Sequence, residues 1–182
     1  MTLLQRLRRF GIAKKGLAAL EFAILAPMMV FLLFGSVDLL DMLSANRRAQ
    51  NVVASLADVV ARDNSVSSTE VNSLWAAQGV LMYPTTGDAM KVRLSSISIE
   101  NSSTARVVWS RGNGLAARNT GSTVSLPSAM MRPGTSLIMA ESEFTFVAPL
   151  GFLMSGPTTM RHNAYRRSRL VDPIPCTWNG CS

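Results

Sequence analysis

The hydrophobic pattern of the chain begins with an unbroken apolar run. From Leu17 to Val37, 21 consecutive positions carry one charge, Glu21. About 20 apolar residues in a helix cross a hydrocarbon core of roughly 30 Å. Past Val37 the pattern changes its period but does not stop. Ala49, Val52 or Val53, Leu56 and Val60 recur at three- and four-residue steps, as on one face of an amphipathic helix. No Gly or Pro interrupts residues 36–61. The spacing therefore predicts one helix from Leu17 to Ala61, its first half in lipid and its second half covering a soluble domain. Pro27 sits inside the span, where membrane helices tolerate proline when neighbouring groups satisfy the freed carbonyl.

The next stretch, "NSVSSTEVNSLWAAQGVLMYP", predicts a turn and a second helix over 68–82. Ser67 with Glu70 fits a capping box, and Pro84 ends the segment. After Gly87-Asp88 the period becomes two. Val92, Leu94, Ile97 and Ile99 alternate with a slip at Ser95-Ser96, which suggests a bulge. "TARVVWS" continues as strand, and "RGNG" reads as a hairpin-type turn. A small-residue loop with Gly121, Pro127 and Pro133-Gly134 leads into the long alternation of "TSLIMAESEFTFVAP", and "TTMRHNAYRRSRL" reads as a final strand. The fold class expected is α+β: a long transmembrane helix continuing into a domain with helices packed on an antiparallel sheet of about four strands. The divisions are a basic leader at 1–16, a transmembrane helix at 17–40, and an exported domain at 41–182. Within that domain 41–61 continues the helix, 90–170 is mainly strand and 171–182 is a tail.

Charge refines this picture. The 182 residues carry a net +7, which invites a nucleic-acid reading until the charge is located. Arg6, Arg8, Arg9, Lys14 and Lys15 lie in the first sixteen residues with no acid among them, leaving thirteen basic and eleven acidic side chains beyond. The basicity flanks the apolar run, as a positive-inside topology signal does. It leaves the leader in the cytoplasm and exports the rest, and it argues against nucleic acid as a partner. A cleaved secretory signal is the competing reading. Its apolar region spans about 7–15 residues, shorter than this one, and "LSA" at 43–45 is a poor cleavage site behind Asp38 and Asp41.

Candidate catalytic chemistry is sparse. His162 is the single histidine and lies in a strand pattern among arginines, where a solvated position is expected rather than a base. HExxH, phosphate-loop and GxSxG motifs do not occur, and "GNGLAA" lacks the third glycine of a dinucleotide fingerprint. Glu141 and Glu143 share a strand face, expected to be wet. Arg161, Arg166, Arg167 and Arg169 form a basic patch with Tyr165, expected to be solvated, with acidic headgroups or a partner subunit as the next choice. No enzymatic activity, cofactor, metal or small-molecule substrate is expected. Cys176 and Cys181 lie in "PIPCTWNGC", with Asn179-Gly180 to turn the chain between them. In an exported domain such a pair oxidises, so an intramolecular disulfide pinning the tail is expected, with an intermolecular bridge as the rival.

The residues around Glu21 carry a more specific signal. "G|LAALEF" joins a basic leader, Gly16 at the membrane edge, and a glutamate fifth in the segment that starts at Leu17. This resembles the prepilin-peptidase site of type IV pilin-like proteins, cleaved between Gly16 and Leu17. Glu21-Phe22-Ala23, Pro27, Phe34-Gly35 and Asp38 then fill the pattern of TadE-like proteins, minor pilins or pseudopilins of the tight-adherence (Tad, Flp) pilus system. That family commonly has a small residue and an arginine soon after the acid, whereas this chain has Leu39-Leu40-Asp41. The resemblance implies processing at Gly16, Leu17, Glu21 and Phe22. It also implies a Glu21 that pairs with the new α-amino group of a neighbouring subunit, and a part in pilus biogenesis and surface adhesion. The partners implied are membrane lipid, a prepilin peptidase, other minor pilins and the assembly platform. The setting is the bacterial inner membrane, crossed once, with the domain in the periplasm or carried into an extracellular pilus. The alternative is a single-span anchored binding module outside any pilus.

Overall fold

A computed structural model of the chain describes residues 16–85 and 90–179. The leader charges before Gly16, the Gly87-Asp88 boundary and Cys181 lie outside the described residues. Helix α1 runs unbroken from Leu17 to Val60, 44 residues, with Pro27 inside it, a length of about 66 Å at 1.5 Å per residue. Its two halves have different surroundings. From Leu17 to Phe34 nearly every residue is exposed, whereas Ala45, Ala49, Val52, Val53, Leu56, Ala57 and Val60 are buried. That second set is the three- and four-residue stripe of the sequence, widened by two alanines that let the helix lie close to the sheet.

Helix α2 spans Ser68–Leu81, and the capping box forms as expected. The Ser67 hydroxyl accepts from the Glu70 N–H at 3.2 Å, and the Glu70 carboxylate accepts from the Ser67 N–H at 2.6 Å. Gln78, buried on this helix, donates to the Met90 carbonyl at 2.7 Å and ties α2 to the start of the sheet.

Four antiparallel strands follow: β1 (Met90–Ile99), β2 (Ala105–Asn113), β3 (Thr135–Phe146) and β4 (Thr158–Arg167), in the spatial order β2-β1-β3-β4. Helix α1 covers one face, mainly over β3 and β4. The slip at Ser95-Ser96 has a different origin from the one its pattern suggests. The register of β1 against β3 is unbroken. Against β2, Ser96 pairs with Trp109 and Ile97 with Val107, so the extra residue is Val108 on the partner strand. What changes along β1 is the covered face. Val92 and Leu94 point into the core under α1, while Ile97 and Ile99 join a second cluster on the opposite face with Val107, Leu137 and Met139. The loop after β2 supplies the cover there through Val124, Leu126, Met130 and Met131. It also pairs along the outer edge of β2, where the Val107 N–H donates to the Ser122 carbonyl at 3.0 Å and the Val124 N–H to the Ala105 carbonyl at 2.9 Å. An otherwise open sheet edge is thereby closed.

"RGNG" is not the hairpin turn. Its first three residues belong to β2 and Gly114 follows at φ +79°, against Lys91. The β1–β2 reversal lies at Glu100–Thr104, where the Glu100 N–H donates to the Thr104 carbonyl at 3.0 Å.

The far face of the sheet is not simply wet. Glu141 on β3 accepts from Arg93 Nε at 2.7 Å and from Arg118 Nη2 and Nε at 2.7 and 3.1 Å. Its side chain is only 13% exposed. Burial by itself raises the carboxyl pKa, but the hydrogen bonds and charges of Arg93 and Arg118 outweigh it and hold Glu141 below the ordinary 4.5. The basic patch is largely exposed, as expected, and mostly paired. Arg161 meets Glu143 at 2.6 Å, and Asp58 of α1 takes Arg169 at 2.6 Å and Arg166 at 3.7 Å, besides Arg62.

A depressed carboxyl pKa stabilises the fold fully above the unfolded value, and the gain is lost as pH falls through the folded value. Glu141→Gln should therefore cost about 2 kcal/mol at neutral pH, in the range for hydrogen bonds to a charged group. The difference from wild type should shrink below pH 4.5. Urea unfolding of both proteins at pH 7 and pH 3 measures it, and an equal difference at both pH values would remove the ion pair as its cause.

Candidate functional site

The sequence singles out one continuous segment, and the structure divides it into an uncovered beginning and a clamped end. Gly16 precedes the first α-helical residue and makes no side-chain cap. Leu17, Glu21, Phe22, Ala23 and Pro27 are all exposed. Glu21 lies one turn beyond Leu17, and none of the ion pairs among the described residues engages it. An exposed carboxylate at this height is a group available to a partner outside the chain.

The end of the segment is built differently. Asp38 is fully buried, 0% exposed, just beyond the apolar run. Its carboxylate accepts three backbone N–H groups from the β3–β4 loop: Leu150 at 3.2 Å, Phe152 at 2.8 Å and Leu153 at 3.2 Å. Taking a carboxylate out of water costs several kcal/mol. Three backbone N–H groups take the place of that lost water around the carboxylate. Gly35 lies almost one turn before Asp38, on the same side of α1. A Cβ there would stand 3.4 Å from Leu153 Cδ1, at the edge of ordinary van der Waals contact, so Gly35 lies where the helix surface meets the loop. Phe34 and Phe31 meet Phe152 with ring centroids 5.9 and 5.3 Å apart, in tilted geometry. Phe34, Gly35 and Asp38, three of the singled-out residues, thus act as one clamp on residues 150–153.

Sequence reasoning placed Asp38 in the helix and did not foresee what it holds. The available signal was the partner segment. From Phe144 to Met160 the chain has no charged residue, with Pro149, Gly151, Gly156 and Pro157 among its apolar side chains.

The tail is fixed by more than its cysteines. Cys176 is disulfide-bonded, while its expected partner Cys181 lies outside the described residues. After β4 the chain does not stay beside that strand. The Arg169 N–H donates to the Ala61 carbonyl at 3.0 Å, and the tail then passes to the turn between the helices. There the Val66 N–H donates to the Pro175 carbonyl at 3.0 Å and the Thr177 N–H to the Val66 carbonyl at 2.9 Å. Ile174 is fully buried and accepts from Trp109 Nε1 at 2.8 Å. Trp178 meets Trp109 edge-on at 5.4 Å, with the Arg111 guanidinium 5.4 Å over its ring.

His162 is not a solvated strand residue either. It is half-buried, its Nε2 has no partner among the described residues, and burial lowers its pKa below 6.5. Its strand neighbour Ser142 carries a hydroxyl in the same condition. No nucleophile or second titratable group completes a catalytic arrangement with them among the described hydrogen bonds. Among the described residues no three of His, Cys, Asp and Glu cluster where they could hold a metal ion.

Against known families, residues 16–58 match the model described as TadE-like protein. The chain carries a TadE-like segment. The match begins at Gly16 and takes in the exposed Glu21, the Asp38 clamp and most of the stripe that buries α1 against the sheet. At family level it supports a part in Tad pilus-related assembly. The TadE-like segment is also the one stretch among the described residues long and apolar enough to cross a membrane, consistent with a single-pass anchor. Comparison with curated proteins and with solved structures gives no match.

Two expectations follow from these geometries. Asp38→Ala leaves three loop N–H groups unpaired, so in detergent chymotrypsin should cut at Leu150, Phe152 or Leu153 several-fold faster than in wild type. An unchanged cutting rate would show that the aromatic contacts hold the loop alone. Replacing Cys176 and Cys181 together by serine should leave residues 174–178 in place, because Val66 and Trp109 still hold them. Hydrogen exchange at the Thr177 amide measures this, and wild-type protection is the expected result.

Proposed function

We propose that this protein is a minor pilin or pseudopilin of a Tad-type pilus system, made with a leader that a prepilin peptidase removes after Gly16. The observation that carries the reading is the coincidence at one place of three features. The TadE-like match starts at Gly16, the helix starts at Leu17, and an unpaired carboxylate stands exposed one turn later. Cleavage there creates an α-amino group at Leu17, positive at neutral pH. Glu21 on an adjacent subunit is then a suitable counter-charge, and the pair sets how far one helix is displaced along the next. The uncovered apolar surface of α1 from Leu17 to Phe34 serves first as a membrane anchor and then as the packing surface among neighbouring helices.

In this reading the leader stays in the cytoplasm and the sheet domain lies on the periplasmic side, where Cys176 can oxidise. The partners are membrane lipid, the peptidase, other minor pilins and the assembly platform, and surface adhesion follows from the assembled system. The role is structural rather than catalytic.

Mass spectrometry of the N-terminus, with and without the peptidase, tests the processing step. The expected mature chain starts at Leu17. Gly16→Ala should preserve insertion, since the leader charges remain, but slow cleavage by an order of magnitude or more. Intact Met1 chains recovered from piliated cells would favour an anchored module outside the pilus. Glu21→Gln should insert at least as well as wild type, because a charge costs about 2.5–3.5 kcal/mol at the centre of a span and less near its end. Piliation should nonetheless fall, and normal piliation at wild-type abundance would reject the ion-pair role.

A further inference from the structure

The β3–β4 loop presents an apolar surface in a position that the sheet domain does not require. Val147, Leu150, Phe152 and Leu153 are 67, 51, 47 and 48% exposed. No charge occurs between Glu143 and Arg161. The loop is fastened to α1 at a definite height. Between Glu21 and Asp41 the only charge is Asp38, which is buried, so Asp41 is the first exposed charge after the apolar run. Phe31 and Phe34 precede Asp41 by ten and seven residues, about 15 and 10 Å along a helix rising 1.5 Å per residue. Phe152 lies against both rings.

With Asp41 at the hydrocarbon boundary, the tip of the loop reaches well into the adjacent half of a core roughly 30 Å thick. We propose that residues 147–154 are a second membrane-embedded element, a short non-helical loop that enters the leaflet on the domain side and contacts its acyl chains.

Two observations beyond exposure select acyl chains as the occupant. The loop surface is continuous with the apolar surface of α1, which lipid already covers, so no separate partner is needed to explain it. Part of its backbone is also provided for in a medium without water. Irregular backbone at membrane depth is costly wherever its polar groups are left without partners. Pro149 has no N–H, and the N–H groups of Leu150, Phe152 and Leu153 all end on the Asp38 carboxylate. Asp38 is thus a positioning residue, whose charge is hidden from lipid by the loop whose donors it accepts. Held by the helix and the loop together, the sheet domain sits on the bilayer in one orientation and does not swivel on a single helix. The proposal rests on α1 as a membrane span and is independent of leader removal and pilus assembly.

The test uses the full-length chain carrying Cys176→Ser and Cys181→Ser, with Leu150→Cys labelled by an environment-sensitive fluorophore. The protein is reconstituted in phosphatidylethanolamine/phosphatidylglycerol vesicles. Nitroxides are placed on the headgroup, near the top of the acyl chain, or at its middle, and iodide probes access from water. Thr120→Cys, exposed on the distant loop, serves as the aqueous reference. The expected result is a blue-shifted label at Leu150, quenched several-fold more by acyl-chain than by headgroup nitroxides and shielded from iodide, with the reverse at Thr120.

Iodide access equal to that at Thr120, or strongest quenching from the headgroup, would overturn the proposal. Shielding from both lipid and iodide would also overturn it, and would point to a second copy of the chain covering the loop. Leu153→Cys repeats the measurement should Leu150→Cys disturb the loop. Adding Asp38→Ala should move the label toward the headgroups and open it to iodide; an unchanged depth would remove Asp38 from its positioning role.

Discussion

A carboxylate at the end of an apolar helix must either stay hydrated or be enclosed by donors that replace its water. Asp38 is enclosed, and much of the molecule's architecture depends on how. Three backbone N–H groups converge on it from a loop more than a hundred residues later in the chain. The contact fixes where β3 ends and β4 begins relative to α1. From that point the helix runs over β3 and β4 to Asp58, which takes Arg166 and Arg169 at the far end of β4. The long helix is thus fastened to the sheet by one acidic residue near each end of the shared length, with alanine and valine packing between them.

This arrangement gives α1 two lives in one secondary structure. Backbone hydrogen bonding makes the helix continuous, with Pro27 absorbed inside it. Side-chain chemistry then makes the half before Gly35 an exposed apolar surface, consistent with a membrane anchor, and buries one stripe of the half after Asp38 in a protein core. Because the helix is continuous, any displacement of the exposed half is transmitted to the domain without a break in the helix. The TadE-like match ends at residue 58, close to the helix terminus, so the matched segment is the part that links the exposed apolar run to the sheet.

The sheet itself shows how a modest domain makes two cores from four strands. Strands β1 and β3 lie between neighbours on both sides, and each buries residues on both faces. One face meets α1 and α2, and the other meets the loop that returns along β2. Under the start of that loop, Glu141 with Arg93 and the loop's own Arg118 replaces apolar cover by a paired charge cluster. The tail closes the remaining side through Ile174, Trp109 and Trp178.

Much of this was legible in the residues alone. The apolar run, the stripe from Ala49 to Val60, the Ser67–Glu70 cap and the strand alternation are local patterns, each set by the period of its own backbone. The Gly16–Glu21 spacing and the Phe34-Gly35-Asp38 triplet were likewise visible as motifs. What Asp38 binds was not, because its partners are main-chain N–H groups, which every residue but proline possesses and no sequence pattern marks. The slip in β1 was visible but not its cause, since a strand's period does not say which face a distant loop covers. The pairing of Arg166 and Arg169 with Asp58, and of Glu141 with two arginines, arises only when elements far apart in sequence are brought together. The sequence by itself determined the helix, the strands and the apolar segment. Tertiary packing decided which charges are buried, what satisfies them, and how the sheet is fastened to the span.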